Sequence, residues 1–211
     1  MKPEPRGVHK VDFRLSDEDK AKIKRFAAVA EGSPLAFLGV DRHDCLLDTL
    51  FKYLRKPLSG RQRRLTTFLK QNLKVSEETL EVVERNLPAL LKAVKDAGVN
   101  NADKLFVWIS VFIVEPYGMA QEPHRDNGGE RSYHTVMVPV TNHVGQGDTQ
   151  FGTKARSKTL DGAKVWDGNV VHYGGANESD LPRIALMVVL SKGDDPNRHG
   201  KESGPARTPL K

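Results

Sequence analysis

Leu105–Val114 reads LFVWISVFIV and marks a change in the character of the chain. The run is rich in β-branched and aromatic residues, which is typical of a strand buried on both faces. Before it, apolar residues recur at helical spacing. After it, short apolar segments alternate with turns rich in glycine, asparagine and aspartate. The run therefore predicts the start of a β core that follows a helical region.

Further strand candidates follow this run toward the C-terminus. Many short strands separated by turn residues predict a β-sandwich or jelly roll, and we expect this core to span residues 101–192. The candidates are Tyr133–Thr141, Asp148–Phe151, Ala163–Trp166, Val170–Tyr173 and Arg183–Ser191.

Upstream of the core, apolar periodicity predicts a helical region over residues 13–100 that packs on the sheets. The first helix starts after the N-cap Ser16 and stops at Gly32. Three further helices are expected: one over Leu46–Leu54, one over Leu65–Leu73, and one from the N-cap Ser76 to Gly98 with a break or kink at Pro88. Residues 13–192 then form one catalytic domain, and residues 1–12 and 193–211 are expected to be disordered.

Composition excludes several classes of protein. No apolar run approaches the ~18 residues of a membrane span. The first residues, MKPEPRGVHK, lack the apolar core of a signal peptide. The single cysteine, Cys45, excludes an internal disulfide framework and thiolate metal clusters. We therefore expect an intracellular protein, cytoplasmic in the first instance, with a nuclear location left open.

The formal net charge of +6 raises the question of nucleic-acid binding. Basic residues cluster at Arg61–Arg64 and at Lys154–Lys158, but no aromatic residues interleave with them as a single-strand binder requires. A solvated basic surface is favoured, and nucleic acid stays open as a partner.

The segment Glu122–Gly129, EPHRDNGG, contains a candidate metal-binding pair. Residues i and i+2 of a strand project to the same face, so His124 and Asp126 can aim at one point inside the sandwich. An isolated His-x-Asp is common in loops. It therefore needs a third ligand from elsewhere in the chain.

His172 is the favoured third ligand, because it follows a strand-like Val-Val pair and precedes Gly174-Gly175, where a ligand can approach the backbone. His134 and His143 compete with it, but an alternating strand and a turn give these two ordinary structural roles. Two histidines and one carboxylate form the facial triad of non-haem Fe(II) oxygenases, with open positions for oxygen and a co-substrate.

Arg183 stands at the head of the last apolar strand. A guanidinium entering such a strand is costly to bury without a partner, and its fork matches a carboxylate. A small dicarboxylate bound to the metal at one end could place its other carboxylate here. The alternative is that Arg183, which follows Pro182, is a solvated strand end.

The order His124-x-Asp126, His172, Arg183 resembles that of the Fe(II)/2-oxoglutarate-dependent dioxygenases. Gly147–Phe151 and Arg-x-Ala-x-x-Val from Arg183 resemble prolyl-hydroxylase-like members. The spacing from His172 to Arg183, with Asn177 between them, resembles phytanoyl-hydroxylase-like members. The resemblance covers about residues 104–192 and implies an α+β protein with a double-stranded β-helix (jelly roll) core.

The resemblance also implies the chemistry. His124, Asp126 and His172 would be the catalytic Fe(II) ligands, and Arg183 would anchor 2-oxoglutarate. O2 would be the oxidant, and ascorbate is a further candidate cofactor. Since Gly174 and Met187 lack the hydroxyl found in some members, candidates for the second co-substrate contact are Tyr117, Tyr133 and Thr135.

The implied reaction is hydroxylation of a substrate coupled to decarboxylation of 2-oxoglutarate to succinate. The substrate stays open among a protein side chain, a small molecule and a nucleobase. Two alternatives remain: a non-catalytic jelly-roll binding module with a vestigial metal site, and an oxidative nucleic-acid demethylase. No membrane partner is expected.

Overall fold

The structure is a computed structural model. It describes residues 7–31, 45–46, 51–55, 61–65, 73–100, 102, 106–114, 116–126 and 133–191. The elements along the chain are β1 Val8–Lys10, α1 Asp17–Glu31, β2 Cys45–Leu46, β3 Phe51–Arg55, β4 Arg61–Leu65, α2 Leu73–Asp96, β5 Phe106–Val114, β6 Tyr133–Pro139, β7 Thr149–Thr153, β8 Arg156–Thr159, β9 Lys164–Asp167, β10 His172–Gly174 and β11 Arg183–Ser191.

The strands form two antiparallel sheets. The larger has the order β1-β9-β6-β11-β5-β3-β4, with β2 also paired to β5. The smaller has the order β10-β7-β8, and an isolated antiparallel bridge places His124 beside His172 of β10. Apart from the β3–β4 hairpin, the neighbours in the larger sheet are not consecutive in the chain, as in a jelly roll rather than a meander. Antiparallel sheets with few helices, the coarse form of the expected fold, are confirmed.

The inner face of the larger sheet packs against the smaller one. Alternate residues of β5, β6, β9 and β11 share an apolar cluster with Phe151 of β7. The rings of Phe151 and Trp166 pack edge to face, with their centroids 5.4 Å apart. The members of the cluster on the larger sheet include Phe112, Met137, Trp166 and Ala185. The two sheets are thus the walls of a sandwich.

The outer face of the larger sheet packs against the helices. Ile23 and Phe26 of α1 and Leu90 and Val94 of α2 share a second apolar cluster with the sheet residues that alternate with the inner set. Burying one such side chain contributes about 1.5–3 kcal/mol. The part of the larger sheet formed by β6, β9, β11 and Val111–Val114 of β5 therefore has apolar packing on both faces, which explains the continuous apolar sequence of Val111–Val114. Among the described residues, neither helix is both long and apolar enough to cross a bilayer.

Several predicted elements agree with the structure. The Ser16 hydroxyl accepts the amide hydrogen bond of Asp19 (3.1 Å), so Ser16 caps α1 as expected. Gly98 follows α2 with φ +108°, and its amide bonds back to Lys95. The strand candidates Tyr133–Thr141 and Arg183–Ser191 correspond to β6 and β11.

The prediction that residues 1–12 are disordered is wrong for Val8–Lys10. These three residues form β1, which pairs with β9 from Val8 opposite Trp166 to Lys10 opposite Lys164. Val8 is also buried in the inner cluster. A long-range partner orders a segment whose local composition favours coil. Residues 1–6 and 193–211 lie outside the described residues.

The helices predicted over Leu46–Leu54 and from Leu65 are also wrong where the chain is described. Cys45–Leu46 pairs with β5, and β3 pairs with β4 along Phe51–Arg55. Leucines at spacings of three and four satisfy a helical template, but pairing with a distant strand overrides local propensity. The expected helical region therefore contains three strands. Most of the helix predicted over Leu65–Leu73 falls in residues 66–72, which lie outside the described residues. Gly32, the predicted end of the first helix, also lies outside them.

One expectation about the last helix fails, since the helix begins at Leu73 rather than after Ser76. Pro88 lies inside the helix, so of the predicted break or kink the break does not occur. Proline in a helix interior costs about 3 kcal/mol. Pro88 is exposed, and Leu87 and Leu90 on either side of it are buried. Packing of the apolar stripe on both sides of Pro88 offsets the local cost.

A buried carboxylate joins the two helices. Asp19 of α1 is 4 % exposed and accepts hydrogen bonds from Arg85 and from Asn86 (2.9 Å) of α2. Burial is the largest influence on the pKa of Asp19 and raises it, but the bonds from Asn86, Ser16 and Arg85 together lower it below the ordinary value.

We expect Asp19→Asn to lower the free energy of unfolding by about 1–3 kcal/mol at pH 7, because it removes a buried charged acceptor that three hydrogen bonds satisfy. A depressed pKa gives stability that is fully present above the unfolded-state pKa of about 4 and is lost as the pH falls from there through the lower pKa of the folded state. Urea titrations should therefore show the difference shrinking toward pH 3.

The matched control is Asp17→Asn, since Asp17 lies in the same helical turn with its side chain 98 % exposed in an ion pair with Lys20. Its effect should stay within about 0.5 kcal/mol. Equal losses in the two variants would contradict the structural role of Asp19.

Candidate metal centre

Three side chains predicted as ligands lie together between the sheets. The ligand atoms of His124, Asp126 and His172 lie within 4.8 Å of one another. The carboxylate Oδ1 of Asp126 is 3.7 Å from His124 Nε2 and 3.4 Å from His172 Nε2. Among the described residues, this is the one group of three or more such side chains that could share an ion.

Backbone pairing brings the two histidines side by side. The amide of His124 donates to the carbonyl of His172 (2.8 Å), and the amide of His172 donates back (2.9 Å). The ring centroids lie 4.6 Å apart. Two positions that are distant in the chain therefore project their rings to one point.

Second hydrogen bonds orient the imidazoles. Nδ1–H of His124 donates to the carbonyl of Glu122 (2.9 Å), and Nδ1–H of His172 donates to the carbonyl of Val170 (3.0 Å). A carbonyl only accepts, so the proton sits on Nδ1 and the lone pair on Nε2 is available in the neutral ring. This is the arrangement that metal-ligating histidines use.

Thr135 orients the carboxylate. Its hydroxyl donates to Asp126 Oδ2 at 2.8 Å, which leaves Oδ1 facing the two histidines. Burial raises the pKa of Asp126, but the neighbouring His172 and His124 and the bond from Thr135 outweigh it, and the net pKa is lowered. Asp126 is thus ionised at neutral pH, as a ligand must be.

The pKa of His172 in the same cluster is raised. Burial is the largest influence on its pKa and lowers it, whereas the Asp126 carboxylate and the Val170 carbonyl raise it, with a net upward shift. A metal ion at Nε2 would displace that proton. Two neutral nitrogens and one carboxylate oxygen suit Fe(II), with positions left for other ligands.

Arg183 enters the same interior from the start of β11. It is 8 % exposed, its Cζ lies 5.5 Å from the centroid of the Phe112 ring, and Nη1 is 3.5 Å from the carbonyl of Gly175. The alternative of a solvated strand end is therefore wrong. The backbone of Arg183 lies opposite Val114 of β5.

Gly174 makes room for Arg183. A Cβ atom on Gly174 would lie 3.1 Å from Arg183 Nη2 and 2.9 Å from Oε1 of Gln121. The same Gln121 oxygen accepts the amide hydrogen of Gly174 (2.9 Å). Glycine at this position therefore accommodates two polar side chains, and a residue with a hydroxyl there would displace them.

Lys164 is a buried cation that the sequence reasoning missed. It is fully buried on β9 and forms an ion pair with Asp148. Burial is the largest influence on its pKa and lowers it, Asp148 opposes this, and the charge of Arg183 lowers it further. The sequence gives one sign of this role, a lysine among the apolar residues of a strand. Lysines are rarely buried unless paired, so such a lysine indicates a buried partner.

The three residues predicted as a second co-substrate contact do not lie together in the site. Thr135 is in the site, but it contacts Asp126 rather than standing free for a co-substrate. Tyr117 lies in a turn at φ +59° with 70 % of its surface exposed, so it does not line the interior. Tyr133 begins β6, and its side chain lies outside the described part.

The two competing histidines are not in the cluster. His134 precedes Thr135 on β6 and projects to the opposite face, and His143 is exposed. Asn177, noted in the family resemblance, has a structural contact: its buried amide donates to the carbonyls of Val114 (3.3 Å) and Leu181 (2.8 Å). The basic stretch Lys154–Lys158 forms the turn and most of β8 in an exposed hairpin.

The fold can be compared with solved structures. A prolyl hydroxylase from Trichoplax adhaerens, in complex with a peptide fragment of the hypoxia inducible factor oxygen degradation domain, superimposes with a TM-score of 0.53 at 10 % identity, covering 88 % of this chain and 84 % of that one. A Pseudomonas putida prolyl-4-hydroxylase gives 0.50 at 12 % identity, covering 89 % and 93 %. The apo non-heme monooxygenase ThoJ gives 0.50 at 15 % identity, covering 88 % and 74 %.

The chain shares its fold with these two prolyl hydroxylases and this non-heme monooxygenase. Identities this low show the fold alone. No family model matches the sequence, and no curated protein matches it. The resemblance predicted from the sequence is therefore confirmed at the level of the fold.

We expect Thr135→Val to weaken metal binding about 10- to 100-fold, because the hydroxyl that orients Asp126 is lost while the shape of the side chain is kept. Isothermal titration with Mn(II) or Ni(II) measures this directly.

Thr141→Val is the control, since it removes a buried hydroxyl that accepts the amide hydrogen bond of Ile184 (2.8 Å) away from the triad. This variant should lose stability and keep its metal affinity. A Thr135 variant that binds metal like the parent protein would contradict the orienting role.

Proposed function

We propose that this protein is an Fe(II)- and 2-oxoglutarate-dependent dioxygenase that hydroxylates a substrate still to be identified. One observation carries this function: the His124–Asp126–His172 cluster and the guanidinium of Arg183 occupy one interior between the same two sheets. Either feature alone suits a simple binding module. Their combination suits a metal that takes a dicarboxylate as co-substrate.

In this function His124, Asp126 and His172 hold Fe(II), which supplies the redox chemistry with O2 when bound. The two Nδ1–H bonds to backbone carbonyls and the Thr135 hydroxyl keep the three ligand atoms aimed at one point. Phe151 and Trp166 pack against the His172 ring and exclude water from that side. The chain thus orients the three metal ligands and keeps water away from one side of the site.

Arg183 binds the far carboxylate of 2-oxoglutarate. Its position beside Gly174 and over Phe112 holds the planar fork in one orientation, as a two-point carboxylate contact requires. The charges also match: a divalent metal with Asp126 and Arg183 leaves a local charge of about +2, which a dianion neutralises.

The substrate class stays open among protein side chains, small molecules and nucleobases. An intracellular location, inferred from the single cysteine, also stays a prediction. The exposed hairpin of Lys154 and Arg156 favours an anionic substrate only if it borders the entrance. Lys154 pairs with Glu122, two residues before His124, which supports that position.

The metal assignment is tested by anaerobic loading with Fe(II), followed by measurement of bound iron and of succinate formed from 2-oxoglutarate. His124→Ala, Asp126→Ala and His172→Ala should each abolish iron binding or turnover with the fold retained in circular dichroism.

His143→Ala is the control and should behave like the parent protein, because His143 is exposed. If His172→Ala stays active and His134→Ala does not, the assignment of the third ligand is wrong. Iron binding without any consumption of 2-oxoglutarate would favour a non-catalytic module instead.

Arg183→Ala should raise the concentration of 2-oxoglutarate required by roughly 30-fold or more, since removing one partner of a desolvated charge pair costs about 2–5 kcal/mol. Metal affinity should stay nearly unchanged. Arg183→Lys should recover part of the loss, because an ammonium keeps the charge without the two-point fork.

Arg156→Ala, on the exposed hairpin, removes an arginine without touching the interior and is the matched control. If both Arg183 variants bind 2-oxoglutarate like the parent, the metal centre stands and the co-substrate assignment falls.

A further inference from the structure

Trp166 on β9 carries a buried polar group that has no hydrogen-bond partner in the part of the chain that the structure describes. The residue is 1 % exposed, and no described residue accepts a hydrogen bond from its indole Nε1–H. Buried polar groups in native proteins are bonded in the large majority of cases, and each exception calls for an explanation. An indole nitrogen only donates, so the group that satisfies it is an acceptor, and none of the described residues supplies one.

The indole lies against the metal centre. Its centroid is 5.0 Å from the ring of His172. Its backbone lies opposite Thr135 of β6, whose hydroxyl orients Asp126. Trp166 therefore contacts one predicted ligand and is the cross-strand neighbour of the residue that positions another.

The same face of β9 extends toward Arg183. Lys164, two residues before Trp166, projects to the same side of the strand and is fully buried. It pairs with Asp148, whose carbonyl accepts the amide hydrogen of Gly175, and the carbonyl of Gly175 lies 3.5 Å from Arg183 Nη1. The inner face of β9 thus runs from the metal centre toward the guanidinium.

A dicarboxylate held at one end by the metal and at the other by Arg183 would lie along this face. We propose that the indole N–H of Trp166 donates a hydrogen bond to an oxygen of the bound 2-oxo acid, and that Trp166 is the second co-substrate contact of this site. The assignment rests on the proposed function. It takes the place of the contact expected from Tyr117, Tyr133 or Thr135.

The chemistry of the acceptor favours the co-substrate over a neutral ligand. A hydrogen bond to a charged acceptor contributes more than one to a neutral acceptor. 2-Oxoglutarate carries a carboxylate and a keto oxygen at one end and a second carboxylate at the other, so it offers acceptor oxygens at both ends. The proposal therefore identifies a residue that selects for an oxygen-rich acid.

The test uses the full-length protein loaded with Zn(II), which supports binding without oxidation. Trp166→Phe keeps an aromatic ring and removes the donor. Affinity for 2-oxoglutarate, measured by isothermal titration, should fall about 10-fold or more, while affinity for Zn(II) alone stays within about threefold.

A second replacement separates the hydrogen bond from packing. 3-Benzothienylalanine at position 166 has the bicyclic shape of tryptophan with sulfur in place of N–H. It should lose the same affinity as Trp166→Phe. If the phenylalanine variant loses affinity and the benzothienyl variant does not, the effect is packing and the proposal is overturned.

A direct readout comes from the indole ¹⁵N–¹H resonances, of which the chain has two, from Trp108 and Trp166. Trp108→Phe and Trp166→Phe assign them. Adding 2-oxoglutarate to the Zn(II) protein should move the Trp166 proton downfield, as a new hydrogen bond does. No movement under saturating ligand would overturn the proposal.

These measurements distinguish a failure of the proposed function from a failure of the role assigned to Trp166. If the metal-loaded parent protein binds no 2-oxoglutarate, the proposed function falls and this contact falls with it. If the parent binds and both position-166 variants bind equally well, the function stands and only the role of Trp166 is overturned; the partner of its N–H is then a water or the primary substrate.

Discussion

Two backbone hydrogen bonds between His124 and His172 hold together the part of the molecule on which its chemistry depends. They tie the segment after β5 to the strand β10, and they bring two rings from distant parts of the chain to a centroid separation of 4.6 Å. Because the two residues lie directly opposite each other in the bridge, both side chains project to the same face. Asp126, two residues after His124, then reaches the same point with its carboxylate.

The interior around this bridge contains four charged side chains. Asp126, Arg183, Lys164 and Asp148 all lie within or at the edge of a space whose other walls are Phe112, Met137, Phe151 and Trp166. Charged groups in such a place are costly unless each has a partner. Asp148 offsets Lys164, and Thr135 and the histidines stabilise Asp126. The arrangement is the reverse of a core selected for stability alone, and it suits a ligand that carries charge into the interior.

The helices stabilise the larger sheet from outside and leave the inner face available for polar chemistry. Ile23, Phe26, Leu90 and Val94 cover the alternate residues of β5, β6 and β11. With one face of each strand supplying apolar packing, the other face can hold Thr135, Lys164 and Arg183. The period of two along each strand is what separates the two tasks.

By itself, the sequence determined the class of fold and the identity of the clustered residues. The apolar run of β5 and the short segments after it predicted antiparallel sheets, because strand composition and turn residues act locally. The spacing His124-x-Asp126 and the position of His172 before two glycines predicted the cluster, and Arg183 was predicted from the cost of burying a guanidinium.

Only the tertiary structure decided the rest. Val8–Lys10 is a strand because it pairs with β9, and Cys45–Leu46 is a strand because it pairs with β5. In both segments, hydrogen bonds to a distant strand override the local sequence pattern. Gln121 and Lys164 carry no motif, and their place beside Arg183 follows from how the sheets face each other. The orphan N–H of Trp166 is invisible in a sequence for the same reason: whether a donor is satisfied depends on every group around it.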